Sequence, residues 1–178
     1  HFDEAPTSTS FSGGAGDADV LRATCEVTTC PEAGVGGVWG TALSFDGNEV
    51  LSADEVVTPT ASAADGYAFG AWVSIDDSHN GSTQAILTFE DDGGNDVAIN
   101  LGGGGAYNTF CYHDDIVGNQ CAYALGITAN PWHHVMVAVD ADGHGTLYVD
   151  GAVAYHDTEK TQPVTFNTTA RPQVGSHF

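Results

Sequence analysis

The sequence predicts an all-β protein, a jelly roll or β-sandwich of antiparallel sheets. Three observations support this fold class. Helical periodicity is nearly absent from the 178 residues, short apolar or alternating runs recur along the chain, and clusters of Gly, Asn and Asp separate those runs. Many short strands at such spacing are typical of sandwiches. No linker or shift in composition divides the chain, so we expect a single domain spanning residues 1–178.

The predicted strands are apolar or alternating runs bounded by turn residues. They are residues 42–45, 67–73, 85–89, 97–101, 133–139, 146–149 and 152–155. The segments 91–96 and 140–145 supply the Gly, Asn and Asp residues that adopt positive φ angles in hairpin turns. Asp150–Gly151 is the signal of a two-residue hairpin. The stretch from residue 6 to residue 16 is small and polar and is predicted to form a long loop.

Composition excludes several classes of function. Three Lys and Arg residues against 24 Asp and Glu residues give a net charge of −21. The chain therefore lacks the cations that neutralise nucleic-acid phosphates, and anionic membranes repel it. No apolar run approaches the length of a membrane span, so we expect no membrane insertion. The acidity has two interpretations, solubility in salt water and binding of divalent cations.

The four cysteines fall into two local pairs. Cys25 and Cys30 are close in sequence, and Cys111 and Cys121 flank the segment 112–120, which we interpret as a polar loop. Neither pair has the spacing of a zinc site. Of the three possible pairings, we favour Cys25–Cys30 and Cys111–Cys121, because each closes a short loop; four free thiols are the alternative. Two disulfides indicate an oxidising, extracellular compartment.

Other features fit a secreted chain. Asn80 and Asn167 stand in N-x-S/T sequons, which mark possible glycosylation sites. The sequence begins at His1 with neither an initiator Met nor a signal peptide, so we interpret it as a mature chain or an excised piece of one.

Several short motifs occur in a fixed order along the chain. They are an opening strand at residues 1–4, G-x-A-L-x-F-D-G ending at Gly47, an aromatic strand ending in W-V at residues 67–73, W-x-H-V at residues 132–135, L-Y-V-D-G at residues 147–151, and the V-G of residues 174–175. In this order they resemble the laminin G-like (concanavalin A-like lectin/glucanase) domains. The resemblance covers nearly the whole chain and implies a jelly-roll β-sandwich of two antiparallel sheets, with Trp72 and Trp132 packed between the sheets.

The resemblance also implies a missing element. Members of the family continue after the last of these motifs into a further, acidic strand, whereas this sequence ends at Phe178. We therefore expect a sandwich that lacks the family's last strand. An open sheet edge invites a strand from another copy or from a longer parent chain.

Catalytic motifs are absent from the sequence. It contains no G-x-S-x-G, no H-E-x-x-H and no P-loop. Sandwich glycosidases often carry an E-x-D-x-x-E strand, but the nearest run, residues 90–95, has two glycines and places Asn95 where the last Glu is needed. His133 and His134 are adjacent on a predicted strand and point to opposite faces, so they cannot chelate one metal together. We expect no enzymatic activity.

Calcium is the metal that the resemblance implies, in loops at one end of the sandwich. The candidate ligands are the oxygen-bearing side chains of the first long turn and of the F-D-G motif, namely Asp91, Asp92, Asn95, Asp96 and Asp46. A solvated turn is the alternative for the first four, and a turn cap for Asp46. Asp140 and Asp142 imitate the start of an EF-hand loop, but Gly151 stands where a bidentate Glu is required, so we interpret them as turn residues.

Two hypotheses of function follow. The first is a non-catalytic, extracellular structural or adhesive building block that assembles with other copies through its sheet edges, as in a filament or a cell-surface layer. The second is a glycan-binding module of a secreted hydrolase or adhesin. A sugar site needs an exposed aromatic platform with polar groups nearby, for which Trp39, Tyr107 and Tyr112 are the candidates.

Overall fold

The computed structural model describes residues 10–12, 22–26, 28, 30–53, 66–75, 83–91, 93–94, 96–102, 109–114, 118–121, 131–158 and 170–175. Regular structure in this part of the chain consists of strands. They are β1 (Ser10–Ser12), β2 (Arg22–Thr24), β3 (Glu32–Gly36), β4 (Thr41–Ser44), β5 (Leu51–Ala53), β6 (Tyr67–Ser74), β7 (Gln84–Glu90), β8 (Asp96–Leu101), β9 (Phe110–Asp114), β10 (Gly118–Cys121), β11 (Trp132–Val139), β12 (Gly145–Val149), β13 (Ala152–His156) and β14 (Arg171–Val174).

Two antiparallel sheets form the sandwich. One has eight strands in the order β1-β2-β5-β14-β7-β8-β9-β10, and the other has four in the order β13-β12-β11-β6. A separate two-stranded hairpin pairs β3 with β4. The predicted all-β sandwich of two antiparallel sheets is therefore confirmed.

The seven strands predicted from apolar runs all form, each to within one residue at either end. The turn at Asp150–Gly151 has φ angles of 51° and 79°, as a two-residue type I′ hairpin requires. The predicted loop at residues 6–16 is wrong in part, because it contains β1.

The main core lies between the two sheets. Its members alternate along β8 and β9 on one side and along β11 and β12 on the other, and they are Ile75, Val97, Ile99, Leu101, Phe110, Tyr112, Val135, Val137, Val139, Leu147 and Val149. The inward side chains of β6 close this core, with the Phe69 ring 5.1 Å from that of Phe89. Each fully buried aliphatic side chain contributes about 1.5–3 kcal/mol relative to exposure.

The alternation along β6 overturns one prediction. Tyr67, Phe69 and Val73 point into the core, so Trp72, of opposite parity, faces outward and is 41% exposed. Trp132 pairs with the exposed Ser74 on this outward face and is half-buried. Neither indole fills the space between the sheets, because a residue next to a core residue on a strand must face away from the core.

A smaller apolar cluster anchors the β3–β4 hairpin to the eight-stranded sheet. Ala33 of the hairpin is buried with Leu51 of β5, and Leu43 and Val174 pack against them. The Cys25–Cys30 disulfide links the residue after β2 to the segment that leads into β3. The hairpin is therefore fixed at its base both covalently and by apolar contacts.

The prediction of a loop at residues 112–120 is wrong where the structure describes the segment. Residues 112–114 belong to β9 and residues 118–120 to β10, and Cys111 lies directly opposite Cys121 in the antiparallel register of these two strands. Cys111 is disulfide-bonded. The Cys111–Cys121 pairing stays a prediction, and this register places the two backbones where a cross-strand bond requires them.

The C-terminal strand β14 is not a sheet edge. It pairs with β5 on one side and with β7 on the other. Among the described strands, the edges are β1 and β10 in the large sheet and β13 and β6 in the small one. Strand β6, eight residues long, is therefore one edge of the small sheet among the described strands.

Gly145 lies where β12 packs directly against the other sheet. A Cβ atom at this position would overlap the buried ring of Tyr112 on β9. We expect Gly145→Ala to lower the free energy of unfolding by roughly 1–3 kcal/mol, because an extra methyl group in a packed core forces strain.

Urea denaturation checks this expectation, with Gly36→Ala as the control. Gly36 also lies on a strand, but a Cβ atom there meets nothing within 4 Å. Equal midpoints for the two variants would contradict the close approach at Gly145.

Candidate functional site

An exposed group of rings lies on the outward side of the four-stranded sheet. Trp39 is 71% exposed and Trp72 is 41% exposed, and their ring centroids are 5.6 Å apart in an edge-to-face arrangement. The ring of His134 lies 5.1 Å from that of Trp72. We call Trp39, Trp72 and His134 the aromatic ledge.

Local sequence explains how the ledge forms. Trp39 occupies the tip of the β3–β4 hairpin, where the Gly37 amide donates a hydrogen bond to the Gly40 carbonyl over 3.0 Å. Gly40 has a φ of 73°, a conformation that suits glycine. Trp72 and His134 are direct partners in the β6–β11 register, and such cross-strand pairs stabilise a sheet.

The outward face of the four-stranded sheet concentrates exposed apolar surface. Trp39, Trp72 and Val153 are the large hydrophobic residues that stand exposed within the described ranges. Val153 pairs with Tyr148, which in turn pairs with Met136 on β11. All of them therefore lie on one side of the molecule, with Val153 at the opposite edge of the sheet from Trp72. Trp39 and Trp72 contact each other and form the exposed apolar patch, and such patches mark binding sites.

Two outward positions of β6 near Trp72 carry a short side chain or none. The outward positions of β6 that precede Trp72 are Gly70 and Ala68, and their partners on β11 are Met136 and Ala138. Small residues next to a tryptophan leave room for a flat ligand to lie on the sheet against the ring.

A carboxylate borders the ledge. Asp150, in the β12–β13 turn, accepts a hydrogen bond from the His134 amide over 2.9 Å through Oδ1. Its Oδ2 lies 2.7 Å from Nδ1 of His133. Burial raises the pKa of Asp150, but the bonds from His133 and His134 outweigh that effect and lower it. Asp150 is therefore ionised at neutral pH.

His133 belongs to the edge of the core. Its side chain is 12% exposed, and its ring lies 6.1 Å from that of Phe110. His134 faces the ledge instead. The two adjacent histidines thus serve opposite faces of the sheet, as their spacing predicted.

Of the three residues predicted to form a sugar platform, Trp39 is exposed as expected. Tyr112 is fully buried and its hydroxyl donates to the Asp114 carboxylate, so its prediction as a platform residue is wrong. Burial and the charge of Asp114 raise the pKa of the Tyr112 hydroxyl. Tyr107 lies outside the described residues, as do the sequons at Asn80 and Asn167.

The candidate calcium ligands of the β7–β8 turn have protein partners where the structure describes them. Asp91 is 4% exposed, and its Oδ1 accepts a hydrogen bond from the Gly93 amide over 2.8 Å. Asp96 is also buried and lies 3.1 Å from Nε2 of His113. Asp92 and Asn95 lie outside the described residues. Asp91 thus closes the turn, whereas Asp96 pairs with the neighbouring strand.

The F-D-G turn depends on a residue that the sequence did not reveal. The Glu49 carboxylate accepts hydrogen bonds from the amides of Asp46, Gly47 and Asn48, over 2.7, 3.1 and 3.2 Å. Asp46 itself is exposed, and its Oδ1 lies 3.5 Å from Nδ2 of Asn48. This arrangement fits a turn role for Asp46.

A group of potential metal ligands lies in the β11–β12 turn. Oxygen or nitrogen atoms of Asp140, Asp142 and His144 lie within 4.8 Å of one another, so the group could hold a metal ion. However, Asp140 already accepts hydrogen bonds from the amides of Asp142 and His144 over 3.0 and 2.9 Å. Calcium prefers six to eight oxygen ligands, and this donor set does not match it.

The pKa of Asp140 reflects the same turn. Burial raises it, but hydrogen bonds from His144 and Asp142, together with the charge of His144, lower it overall. The carboxylate therefore closes the turn in its ionised form, as the interpretation of Asp140 and Asp142 as turn residues expected.

The described part of the chain contains no helix of the length and hydrophobicity needed to cross a membrane.

Residues 46–178 match the family model of the concanavalin A-like lectin/glucanases superfamily. The chain belongs to this superfamily. The resemblance to laminin G-like domains that the motif order indicated is confirmed, and the match begins at the F-D-G turn. No match was found among curated proteins.

Solved structures share the superfamily's sandwich. Domain 4 of AbnA, a GH43 extracellular arabinanase from Geobacillus stearothermophilus in complex with arabinotriose, has a TM-score of 0.63 at 15% identity, over 83% of this chain and 67% of that one. The Crh5 transglycosylase in complex with NAG has a TM-score of 0.54 at 15% identity, over 99% of this chain and 72% of that one. At this identity the likeness shows the fold alone.

Proposed function

We propose that the chain is a non-catalytic, extracellular glycan-binding module and that the aromatic ledge is its binding site. The observation that carries this proposal is the exposed contact between Trp39 and Trp72. Two indoles at 71% and 41% exposure cost hydrophobic stabilisation unless a ligand covers them.

The chemistry of the ledge suits a sugar. The C–H face of a sugar ring is apolar and packs on an indole, while its hydroxyl groups seek hydrogen-bond partners. Asp150 and His134 supply polar atoms beside the rings. The small residues Gly70 and Ala68 leave a low surface on which a chain of sugar rings can extend.

The comparisons add support from the fold. The two neighbouring structures carry arabinotriose and NAG, so the same sandwich serves carbohydrate-related proteins. The Cys25–Cys30 disulfide supports an extracellular location. The absence of an E-x-D-x-x-E strand from the sequence supports binding without catalysis.

We expect Trp39→Ala and Trp72→Ala each to weaken glycan binding about tenfold, the scale on which truncation of a central Trp acts. Affinity electrophoresis in gels containing arabinan, β-1,4-glucan or N-acetylglucosamine oligomers measures the effect. Val153→Ala is the control, because Val153 is exposed on the same face but lies on β13, at the far edge of the sheet from β6. Wild-type retardation that survives both Trp substitutions would contradict the assignment of the site.

Assembly through sheet edges is the second candidate function. It is supported by β6, which has eight residues and pairs with β11 alone among the described strands. A long edge strand offers unpaired backbone groups to another chain. Other copies or a longer parent chain would supply the partner strand.

Sedimentation velocity tests assembly. Because the net charge of −21 opposes self-association, we expect divalent salt to increase the sedimentation coefficient with protein concentration. Removal of residues 1–4 should reverse this increase if the N-terminal segment donates the strand. A monomer at every concentration and salt would contradict the candidate.

Calcium binding at the β7–β8 turn is a further part of the proposal. Its support is the density of oxygen ligands in residues 91–96, and the low exposure of Asp91 and Asp96. Calcium at a hundred times its dissociation constant would stabilise the fold by about 2.7 kcal/mol. We expect thermal melting to shift upward with calcium and Asp92→Asn to reduce the shift.

Glu32→Gln is the matched control for this experiment, since it removes one exposed carboxylate from β3, outside both acidic turns. Sodium chloride at equal ionic strength separates specific binding from screening. An equal shift with sodium chloride, or in all three proteins, would contradict calcium binding at this turn.

A further inference from the structure

We propose that the aromatic ledge discriminates against acidic glycans and that Asp150 is the residue that sets this specificity. The inference rests on the proposed glycan-binding function and narrows it to neutral or amine-bearing sugars. It follows from the position, the charge and the anchoring of one carboxylate.

Two contacts connect Asp150 to the ledge. Its Oδ1 accepts the His134 amide over 2.9 Å, and the His134 ring lies 5.1 Å from that of Trp72. The side chain of Asp150 is 51% exposed. In the sheet register, β11 alone separates Asp150 from Trp72, and the carboxylate still faces solvent.

Two neighbouring residues of β11 hold the carboxylate in place. His133, at the edge of the core, contacts Oδ2 over 2.7 Å, while the His134 amide fixes Oδ1. The φ of 51° at Asp150 places it in a type I′ turn with Gly151. These contacts favour one position of the backbone and of the carboxylate, and so of the negative charge.

Among the side chains that the structure describes, no Lys or Arg lies on the four-stranded sheet with this carboxylate. Arg171 is the one Lys or Arg residue whose side chain is described, and it lies exposed on β14 in the other sheet. The whole chain carries a net charge of −21. Uronate or sulfate groups on a glycan therefore meet repulsion from Asp150 and from the surrounding field, whereas a free amine would be attracted to both.

The magnitude is measurable. Two like charges about 4 Å apart in bulk water repel enough to change an affinity about fivefold, and the effect weakens as salt screens the charges. The selectivity should therefore be largest at low salt and should fall toward unity near 1 M salt.

Matched oligosaccharides isolate the effect of charge. Isothermal titration compares β-1,4-glucan oligomers with the same oligomers oxidised to carboxylates at C6, and N-acetylglucosamine oligomers with their deacetylated form. Each comparison keeps the linkage and ring size. Because deacetylation removes the acetyl group as well as adding a charge, the effect of charge in that pair is read from the difference between wild type and Asp150→Asn.

Asp150→Asn is the test variant and Asp142→Asn its control. Asn tolerates the left-handed conformation and retains an oxygen that can accept the His134 amide. Asp142 lies in the β11–β12 turn, at the opposite end of β12 from Asp150. Both variants change the net charge equally, so a difference between them reports the local position of the charge.

The expected result is a wild-type preference of roughly fivefold for the neutral over the oxidised glucan at low salt. Asp150→Asn should bring that ratio close to unity, and Asp142→Asn should leave it near the wild-type value. The deacetylated oligomers should bind more tightly than the acetylated ones to wild type and lose that advantage in Asp150→Asn.

Three results overturn the inference in different ways. Equal affinity of wild type for neutral and oxidised glucan, with binding still lost in Trp39→Ala, refutes the selectivity and leaves the proposed function intact. Equal ratios in Asp150→Asn and Asp142→Asn refute the role of Asp150. Absence of all binding, or binding that Trp39→Ala does not affect, refutes the proposed function together with the inference.

Discussion

The register between β6 and β11 is the constraint on which the rest of the structure depends. Eight successive pairs, from Trp132–Ser74 to Val139–Tyr67, fix which side chains seal the core and which face solvent. A slip by one residue would send Trp72 between the sheets and expose Phe69 and Val73, because successive side chains on a strand point to opposite faces. The core and the proposed binding surface are therefore two results of a single pairing.

Asp150 links the same register to the chemistry of the surface. Its backbone forms the turn that aligns β12 with β13, and its carboxylate contacts both His133 and His134. His133 belongs to the core edge and His134 to the aromatic ledge. Through one side chain the position of the turn, the orientation of a core residue and the electrostatic character of the exposed face are coupled.

Local patterns were enough to predict the strands, the Asp150–Gly151 turn and, through the order of the motifs, the superfamily. They were insufficient for the site, because the face of the sheet to which a side chain points depends on whether its position in the strand is odd or even. Tyr67, Phe69 and Val73 share one parity, and counting from them would have placed Trp72 outside. Tyr112 shares the parity of the buried Phe110, yet a polar neighbourhood made it look like a loop residue. The hydrogen bonds from three backbone amides to the Glu49 carboxylate arise from the geometry of a turn. The hydrophobic pattern of the sequence therefore gives no indication of them.

The two tryptophans of the ledge come from different parts of the chain. Trp72 lies on a sandwich strand inside the matched region, whereas Trp39 lies on a hairpin that precedes residue 46, where the superfamily match begins. The proposed surface thus combines a strand of the sandwich with the tip of a hairpin whose base lies next to the Cys25–Cys30 disulfide. In the proposed site, substitutions at the hairpin tip alone would change one of the two indoles and leave the β6–β11 register unaltered.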